Sequence, residues 1–148
     1  MTRAIPMFLG EHLHTLDPKN RISVPSKFRK ELGRAVVVTR GLDNCLYLYS
    51  RKEWEKQARV YSAEVNGSAA RRGLARLFLA GSSEAEVDKA GRVLIPEHLK
   101  AFASIKDKAI MAGVADRVEI WEEQAWKKYM AGIEHDANAF AEELDSKN

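Results

Sequence analysis

The chain contains an internal repeat, which constrains its fold more than any other feature of the sequence. Residues 16–25 read LDPKNRISVP and residues 87–96 read VDKAGRVLIP, at an offset of 71 residues. A second block, GLDNCLYLYSRKEW at 41–54, aligns without gaps on GVADRVEIWEEQAW at 113–126, at an offset of 72 residues. A unit of about 45 residues seldom buries enough apolar surface to be stable alone. Two copies are therefore predicted to close one shared core around a pseudo-twofold axis.

Both copies have the same predicted order of elements. In the first copy, EHLHTLD and RISVP predict two short strands joined at a turn, PSKFRKELG predicts a short helix, and AVVVTR and CLYLYS predict two further strands. The second copy repeats this order with RVLIP, PEHLKAFA, AIMAG and RVEIW. The segment SAARRGLARLFLA and the residues after Trp126 have the apolar spacing of amphipathic helices. The predicted fold is α+β and strand-rich, a barrel flanked by helices.

The repeat also predicts how the chain is divided within one compact domain. The predicted parts are a first copy at 9–54, a connecting helical segment at 55–81, a second copy at 82–126, and a C-terminal helix and tail at 127–148. Trp54 and Trp126 end the two aligned blocks, and we expect both to pack a helix against the barrel.

The net charge of +3 conceals an uneven distribution of charge along the chain. Up to Gly81 there are 15 lysines and arginines and 7 acidic residues, whereas from Ser82 onward there are 9 and 14. The excess is densest between Lys19 and Arg40, where seven cations stand against Glu31 alone. A field of this sign favours a polyanion as partner, although a solvated surface with counterions would also account for it.

Several classes of function lack their usual sequence signals. No apolar run approaches the roughly 20 residues of a membrane span, and MTRAIPMFLGEH is too short and too soon charged for a secretory signal, so we expect a cytoplasmic protein. Cys45 is the only cysteine, and its apolar neighbours predict a strand residue rather than a nucleophile. His12 and His14 share a strand face without a third ligand nearby, so no metal site is predicted. Because no P-loop, G-x-S-x-G or dinucleotide fingerprint is present, we expect no enzyme activity, cofactor or small-molecule substrate.

Each copy contains the pattern D-x-x-x-R, formed by Asp17 with Arg21 and by Asp88 with Arg92. Each aspartate can accept hydrogen bonds from backbone N–H groups two or three residues on, and the fourth residue, asparagine or glycine, tolerates positive φ. One interpretation is a hairpin bracket whose ion pair is worth at most about 1 kcal/mol if exposed. The other is a rigid loop that presents cations to phosphates or to the O6 and N7 edge of guanine. The cations concerned are Lys19, Arg21, Lys89 and Arg92.

Three stretches of the chain resemble the MraZ family of bacterial transcription regulators, which carry two AbrB-like motifs. These stretches are MFLGEHLHTLDPKNRISVPSKFR at 7–29, ARRGLARLFLAGSSEAEVD at 70–88 and VDKAGRVLIPEHL at 87–99. The resemblance implies a double-split β-barrel of AbrB/MraZ type that assembles into a homo-oligomeric ring. It also implies binding to short G-rich direct repeats in double-stranded DNA, upstream of a division and cell-wall gene cluster that the protein represses. Asn20 stands where the family usually has glycine, and because asparagine tolerates the left-handed conformation we expect the turn to survive.

The charge distribution gives the two motifs unequal predicted weight. The first motif lies among the seven cations and the second in the acidic half, so the main DNA contact is assigned to the first. The assigned residues are Lys19, Arg21, Lys27 and Arg29 for the main contact, with Lys89 and Arg92 secondary. Asp17 and Asp88 are expected to orient the loops, and the protein is expected to be associated with the nucleoid.

Two other classes of function remain open at this point. One is an AbrB-like antitoxin that neutralises a partner toxin, and the other is a ring-forming scaffold or barrel enzyme that does not bind nucleic acid. The central cations Arg71, Arg72 and Arg76 fit either DNA contacts or pairing with acidic residues of another subunit.

Overall fold

The computed structural model of the chain describes residues 7–146. The elements of the first copy are β1 (Phe8–Thr15), β2 (Arg21–Ser23), α1 (Ser26–Leu32), β3 (Ala35–Arg40), a 3-10 turn (Leu42–Asn44) and β4 (Leu46–Ser50). The connecting helices are α2 (Arg51–Ser62) and α3 (Ala69–Ala80). The second copy contains β5 (Ser83–Glu86), β6 (Arg92–Leu94), α4 (Glu97–Phe102), β7 (Lys108–Ala115) and β8 (Arg117–Glu122), and is followed by α5 (Glu123–Ser146). The predicted order of strands and helices is confirmed in both copies.

The two copies exchange strands to form one antiparallel sheet. Its order is β1-β7-β8-β4-β3-β5, so the first strand of each copy pairs with the third strand of the other. The fourth strands, β4 and β8, pair at the centre, and β2 pairs with β6 in a separate two-stranded sheet. Exchanging the copies reverses the strand order and leaves the pairing unchanged, which is the predicted pseudo-twofold relation.

The six-stranded sheet is open, with β1 and β5 at its edges. The pair β2–β6 and the short helices α1 and α4 enclose the main core against one face of this sheet. Ile22 and Val93 are buried there from the strand pair, and Phe28 and Leu99 from the helices. The predicted α+β, strand-rich class is confirmed, and the core is shared between the copies.

The opposite face of the sheet carries an aromatic layer covered by α2, α3 and α5. Buried side chains of this layer include Tyr49, Phe78 and Trp121, and the half-buried Trp54 and Trp126 pack against them. Both tryptophans therefore pack a helix against the sheet, as predicted. Cys45, predicted to be a strand residue, lies immediately before β4 and is buried in this layer, and this burial raises the pKa of its thiol.

Two helices begin earlier than the sequence predicts, because residues at the ends of strands cap them. The Ser50 hydroxyl accepts a hydrogen bond from the Glu53 N–H at 3.1 Å, so α2 begins before Trp54. The Glu122 carboxylate accepts from the N–H groups of Gln124 and Ala125, so Trp126 lies inside α5. The predicted boundaries at 54 and 126 therefore fall within helices, and the division into four parts stays a prediction.

No helix within residues 7–146 is long and apolar enough to cross a membrane.

Candidate nucleic-acid interface

The first Asp–Arg turn is a loop held from within by one carboxylate. Asp17 Oδ1 accepts hydrogen bonds from the N–H groups of Lys19 and Arg21, both at 2.9 Å. Arg21 Nε donates to Asp17 Oδ2 at 2.7 Å, and the backbone N–H of Asp17 returns a bond to the Arg21 carbonyl at 2.9 Å. The donors lie two and four residues after the aspartate, where the sequence predicted two or three. Four bonds between so few residues fix the direction in which the arginine leaves the loop.

The second turn repeats this geometry. Asp88 Oδ1 accepts from the N–H groups of Ala90 and Arg92 at 2.9 Å, and Arg92 Nε donates to Oδ2 at 3.1 Å. The residue before each arginine has positive φ, 62° at Asn20 and 80° at Gly91. The predicted survival of the turn with asparagine is confirmed.

The fold brings the two loops onto one surface. Strands β2 and β6 pair with Ile22 opposite Val93, and Arg92 Nη1 lies 3.5 Å from Asp17 Oδ2 of the other loop. Each loop also accepts a backbone bond from the other copy. These reciprocal bonds, both of 2.8 Å, run from the Ile95 N–H to the Asn20 carbonyl and from the Val24 N–H to the Gly91 carbonyl. The predicted contrast between a basic first motif and a second motif in an acidic half is therefore a contrast along the chain, whereas in space the two loops lie side by side.

The residues that precede the two arginines, Asn20 and Gly91, each face a helix of the other copy. The two helices bring different side chains to these positions. Asn20 donates from Nδ2 to Glu97 at 2.9 Å and accepts at Oδ1 from Lys100 Nζ at 3.0 Å, so its side chain is bound by α4. Gly91 instead lies under the guanidinium of Arg29, and a Cβ at this position would overlap it. Asparagine is thus accommodated in the first loop, whereas a side chain in the second loop would have to displace the guanidinium of Arg29.

The predicted contact residues differ in how freely they can reach a ligand. Lys19 and Lys89 are exposed on the two loops. Arg21 and Arg92 point from the outer face of β2–β6, with 30% and 33% of their side chains exposed. Arg29 is partly committed, because its Nε donates to the Val24 carbonyl at 2.8 Å.

The Lys27 side chain lies beside β1. It is exposed on α1, and its ammonium lies beside Gly10 of β1, 5.8 Å from the centroid of the Phe28 ring. Its charge and its place among the seven cations predicted a DNA contact together with Lys19 and Arg21, and this role of Lys27 stays a prediction.

The outer face of β2–β6 also carries an exposed leucine that is not among the predicted contact residues. Leu94 stands opposite Arg21 in the ladder and is 52% exposed. The alternation in RVLI would have indicated it, since Val93 and Ile95 are the inward residues and Leu94 must then face outward. A leucine between two arginines gives this face an apolar contact as well as charge.

The other residues considered from the sequence are two histidines of β1 and the arginines of α3. His12 and His14 share one face of β1, where His12 packs edge-on against Phe28 at 5.3 Å between ring centroids. Residues 7–146 contain no group of three or more histidines, cysteines or acids placed to hold a metal ion. In the first turn of α3, Arg71 lies 3.4 Å from Glu64, and Arg72 donates to the Gly67 carbonyl at 2.8 Å.

The carboxyl groups of both loop aspartates have lowered pKa values. The backbone N–H of Arg21 lowers the pKa of Asp17 most, aided by the Arg21 side chain and the Lys19 N–H, and Arg92 lowers the pKa of Asp88 in the same way. Because each pKa is lower in the folded than in the unfolded chain, each carboxylate adds stability above about pH 4, and this contribution is lost as the pH falls through the lowered pKa.

We therefore expect the free energy of unfolding to decrease as the pH falls from about 4 to about 2. The double variant Asp17→Asn/Asp88→Asn should show a weaker pH dependence in that window, because it lacks the two groups that must be protonated. Urea denaturation across a pH series measures this. The same pH dependence in both proteins would show that other carboxylates cause the acid sensitivity.

Comparisons with known proteins agree with the internal repeat. The MraZ family model, described as "MraZ protein, putative antitoxin-like", matches residues 7–77 and again 78–147. A protein named transcriptional regulator MraZ from Caldanaerobacter subterraneus subsp. tengcongensis is 43% identical over 143 residues, covering 96% of this chain and 99% of the relative. Proteins of the same name from Carboxydothermus hydrogenoformans and Clostridium tetani are 41% and 42% identical, covering 93% and 95% of this chain and 96% of each relative. The chain therefore belongs to the MraZ family.

Proposed function

We propose that this protein is a transcriptional regulator that binds double-stranded DNA through the surface formed by its two Asp–Arg loops. The observation that carries the proposal is the pair of rigid, reciprocally bonded loops that place Lys19, Arg21, Lys89 and Arg92 on one side of the molecule. The relatives' shared name, transcriptional regulator MraZ, supports the same function. The target is a set of short G-rich direct repeats upstream of the protein's own division and cell-wall genes, which it represses.

Within this proposal the loop residues have separate roles. Lys19 contacts phosphate, because a mobile ammonium on an exposed loop acts as a point charge. Arg21 reads the O6 and N7 edge of guanine, the contact that suits a planar guanidinium, while its Nε bond to Asp17 fixes its direction. Asp17 and Asp88 orient the loops and do not touch DNA. Arg92 and Lys89 supply the secondary contact.

The proposal also includes assembly of several copies into a ring. One arginine–guanine contact supplies only about 1–3 kcal/mol of discrimination, so one subunit would bind weakly and select poorly. Repeats about 10 bp apart present the same groove face to successive subunits. Linking several weak sites then raises the overall affinity without any new contact. The protein works in the cytoplasm at the nucleoid, without a cofactor and without catalysis.

An antitoxin role is a second candidate, favoured by the antitoxin likeness in the family description. The presence of a second loop and of helix α5 after the first copy is an observation against this role. Stoichiometric co-purification of a toxin from native cells would support this role.

Fluorescence anisotropy with nuclease-treated protein tests the DNA-binding proposal. We expect salt-sensitive preference for the DNA upstream of its own operon over a shuffled duplex, and binding about 10- to 100-fold weaker in Arg21→Ala, because each arginine–guanine contact is worth about 1–3 kcal/mol. Arg92→Ala is the matched variant in the second loop and should lose less. Circular dichroism and a thermal melt check that both variants are folded.

Equal binding by the wild type and a folded Arg21→Ala variant would reduce the first loop to a structural bracket. Binding would then have to be sought at Arg92 or along Arg71–Arg76. A protein that ignores every duplex at low salt would favour the scaffold hypothesis instead.

A further inference from the structure

The helix α5 continues well past the sheet on which it begins. Its first turns pack on β7 and β8, and Trp126, Met130 and Ile133 are half-buried there. Every residue from Glu134 to Ser146 is exposed. The distal half of α5, residues 134–146, is therefore held by few contacts within its own chain.

The distal half nevertheless continues an apolar seam. The seam residues alternate in steps of four and three, which is the spacing of a helix that packs along another element. They are Trp126, Met130, Ile133, Ala137, Phe140 and Leu144. Phe140 and Leu144 lie in the distal half, and Leu144 is 67% exposed. A seam that extends beyond the body predicts a partner outside the chain's own core.

The charge beside this seam indicates which charge the partner surface must carry. Residues 129–146 contain five acidic residues and no lysine or arginine. Glu134, Asp136 and Glu143 flank the seam. Two distal halves lying side by side would bring like charges together, which is unfavourable. The complementary partner is a surface with cations beside exposed apolar side chains.

Helix α2 presents such a surface on the same protein. Lys52, Lys56 and Arg59 are exposed at a spacing that places them on one face, beside Val60, which is 60% exposed. Glu53 is buried and 3.9 Å from Lys56, and the exposed Glu55 lies beside the stripe, 4.0 Å from Arg51, so the three exposed cations still outnumber the one exposed carboxylate on this face. The long aliphatic stems of these cations can cover a leucine or phenylalanine while their charges meet carboxylates.

The two surfaces lie on different halves of the molecule. Helix α2 packs on β3 and β4, whereas α5 packs on β7 and β8. The two helices therefore lie on opposite sides of the boundary between the central strands β4 and β8. A contact between α5 of one copy and α2 of a second copy is heterologous. A row of copies joined in this way has a free α2 surface at one end and a free α5 surface at the other. Contacts of this type close into rings when the rotation permits.

We propose that the acidic distal half of α5 in one copy packs on the Lys52–Lys56–Arg59 face of α2 in the next copy, and that this contact builds the ring. The inference rests on the ring assembly of the proposed function and names its interface. It does not depend on DNA binding. It also separates the cations of α2, which serve assembly, from those of the loops, which serve DNA.

Charge reversal on each side, followed by combination, tests this contact. One variant is Lys52→Glu/Lys56→Glu/Arg59→Glu, and the other is Glu134→Lys/Asp136→Lys. Molar mass is measured by sedimentation velocity on nuclease-treated, full-length protein without DNA. We expect the wild type to be an oligomer, each variant alone to sediment with the mass of one chain, and the combination of all five changes to recover the oligomer. Lys106→Glu, an exposed change on the loop after α4, is the matched control and should stay assembled.

Three outcomes would overturn the inference: a monomeric wild type, intact assembly in either single-sided variant, or no recovery in the combined variant when circular dichroism shows all proteins folded. Recovery by combination cannot result from general damage to either helix. Because DNA is absent throughout, failure of the DNA-binding proposal in the anisotropy experiment leaves this result unaffected.

Discussion

Replacement of Lys19 by glutamate is expected to weaken binding to the native operator by at least about 100-fold, since each engaged subunit loses a phosphate contact and gains a repulsive charge. Lys19 is the cleanest probe of the loop surface. Its backbone N–H helps to hold Asp17, and this bond survives any side-chain change. The ammonium itself is exposed on the loop. A loss of binding in this variant therefore reports on contact with DNA rather than on loop structure, which Arg21→Ala disturbs more directly.

The equivalent change Lys89→Glu in the second loop is the matched control. Lys89 is also exposed and follows Asp88 by one residue, whereas Lys19 follows Asp17 by two. If the first loop makes the main contact, Lys89→Glu should lose clearly less affinity. Titrations at several salt concentrations should show that Lys19→Glu lowers the slope of log K against log salt by about 1 for each engaged subunit. Equal losses in the two variants would instead mean that the juxtaposed loops bind as one unit.

The sequence predicts local structure well in this protein because each local pattern occurs twice, once in each copy of the repeat. Each strand and short helix of one copy has a counterpart in the other, so a weak signal such as RISVP is supported by RVLIP. The Asp–Arg turns are also local, since their bonds span at most four residues. The starts of α2 and α5 are harder to predict. The aligned blocks of the repeat end at Trp54 and Trp126, whereas the caps at Ser50 and Glu122 start the helices before these residues.

Contacts between the copies could not be predicted from the residues. The sequence gives no indication that Arg92 reaches Asp17, that Arg29 covers Gly91, or that α4 binds Asn20. These contacts depend on the pairing of β2 with β6 across the two copies, and that pairing is decided by the tertiary packing of both copies at once. For the same reason, the division of charge along the chain does not describe the charge at the site.

The exchange of β1 makes one glycine critical for stability. Gly113 stands opposite Gly10 in the β1–β7 ladder, and a Cβ on Gly113 would lie 2.5 Å from the backbone nitrogen of Leu9 and 2.6 Å from the carbonyl carbon of Phe8. These are backbone atoms of the neighbouring strand, so no side chain can move aside to make room. The strand itself would have to shift, and with it Phe8, which is buried in the shared core.

We therefore expect Gly113→Ala to lower the free energy of unfolding by about 3 kcal/mol, through displacement of a strand that joins the two copies. For a chain of this size the melting temperature should fall by about 6–12 °C. Gly73→Ala is the matched control, because Gly73 lies in the exposed interior of α3 with no atom within 4 Å of an added Cβ. This change should raise the stability by roughly 0.5–1 kcal/mol, since alanine favours helix over glycine. Thermal melts at one protein concentration compare the three proteins. A Gly113→Ala variant as stable as the wild type would show that β1 can move away from β7 at little cost, and that the crossed strand contributes less to holding the copies together than its buried phenylalanine indicates.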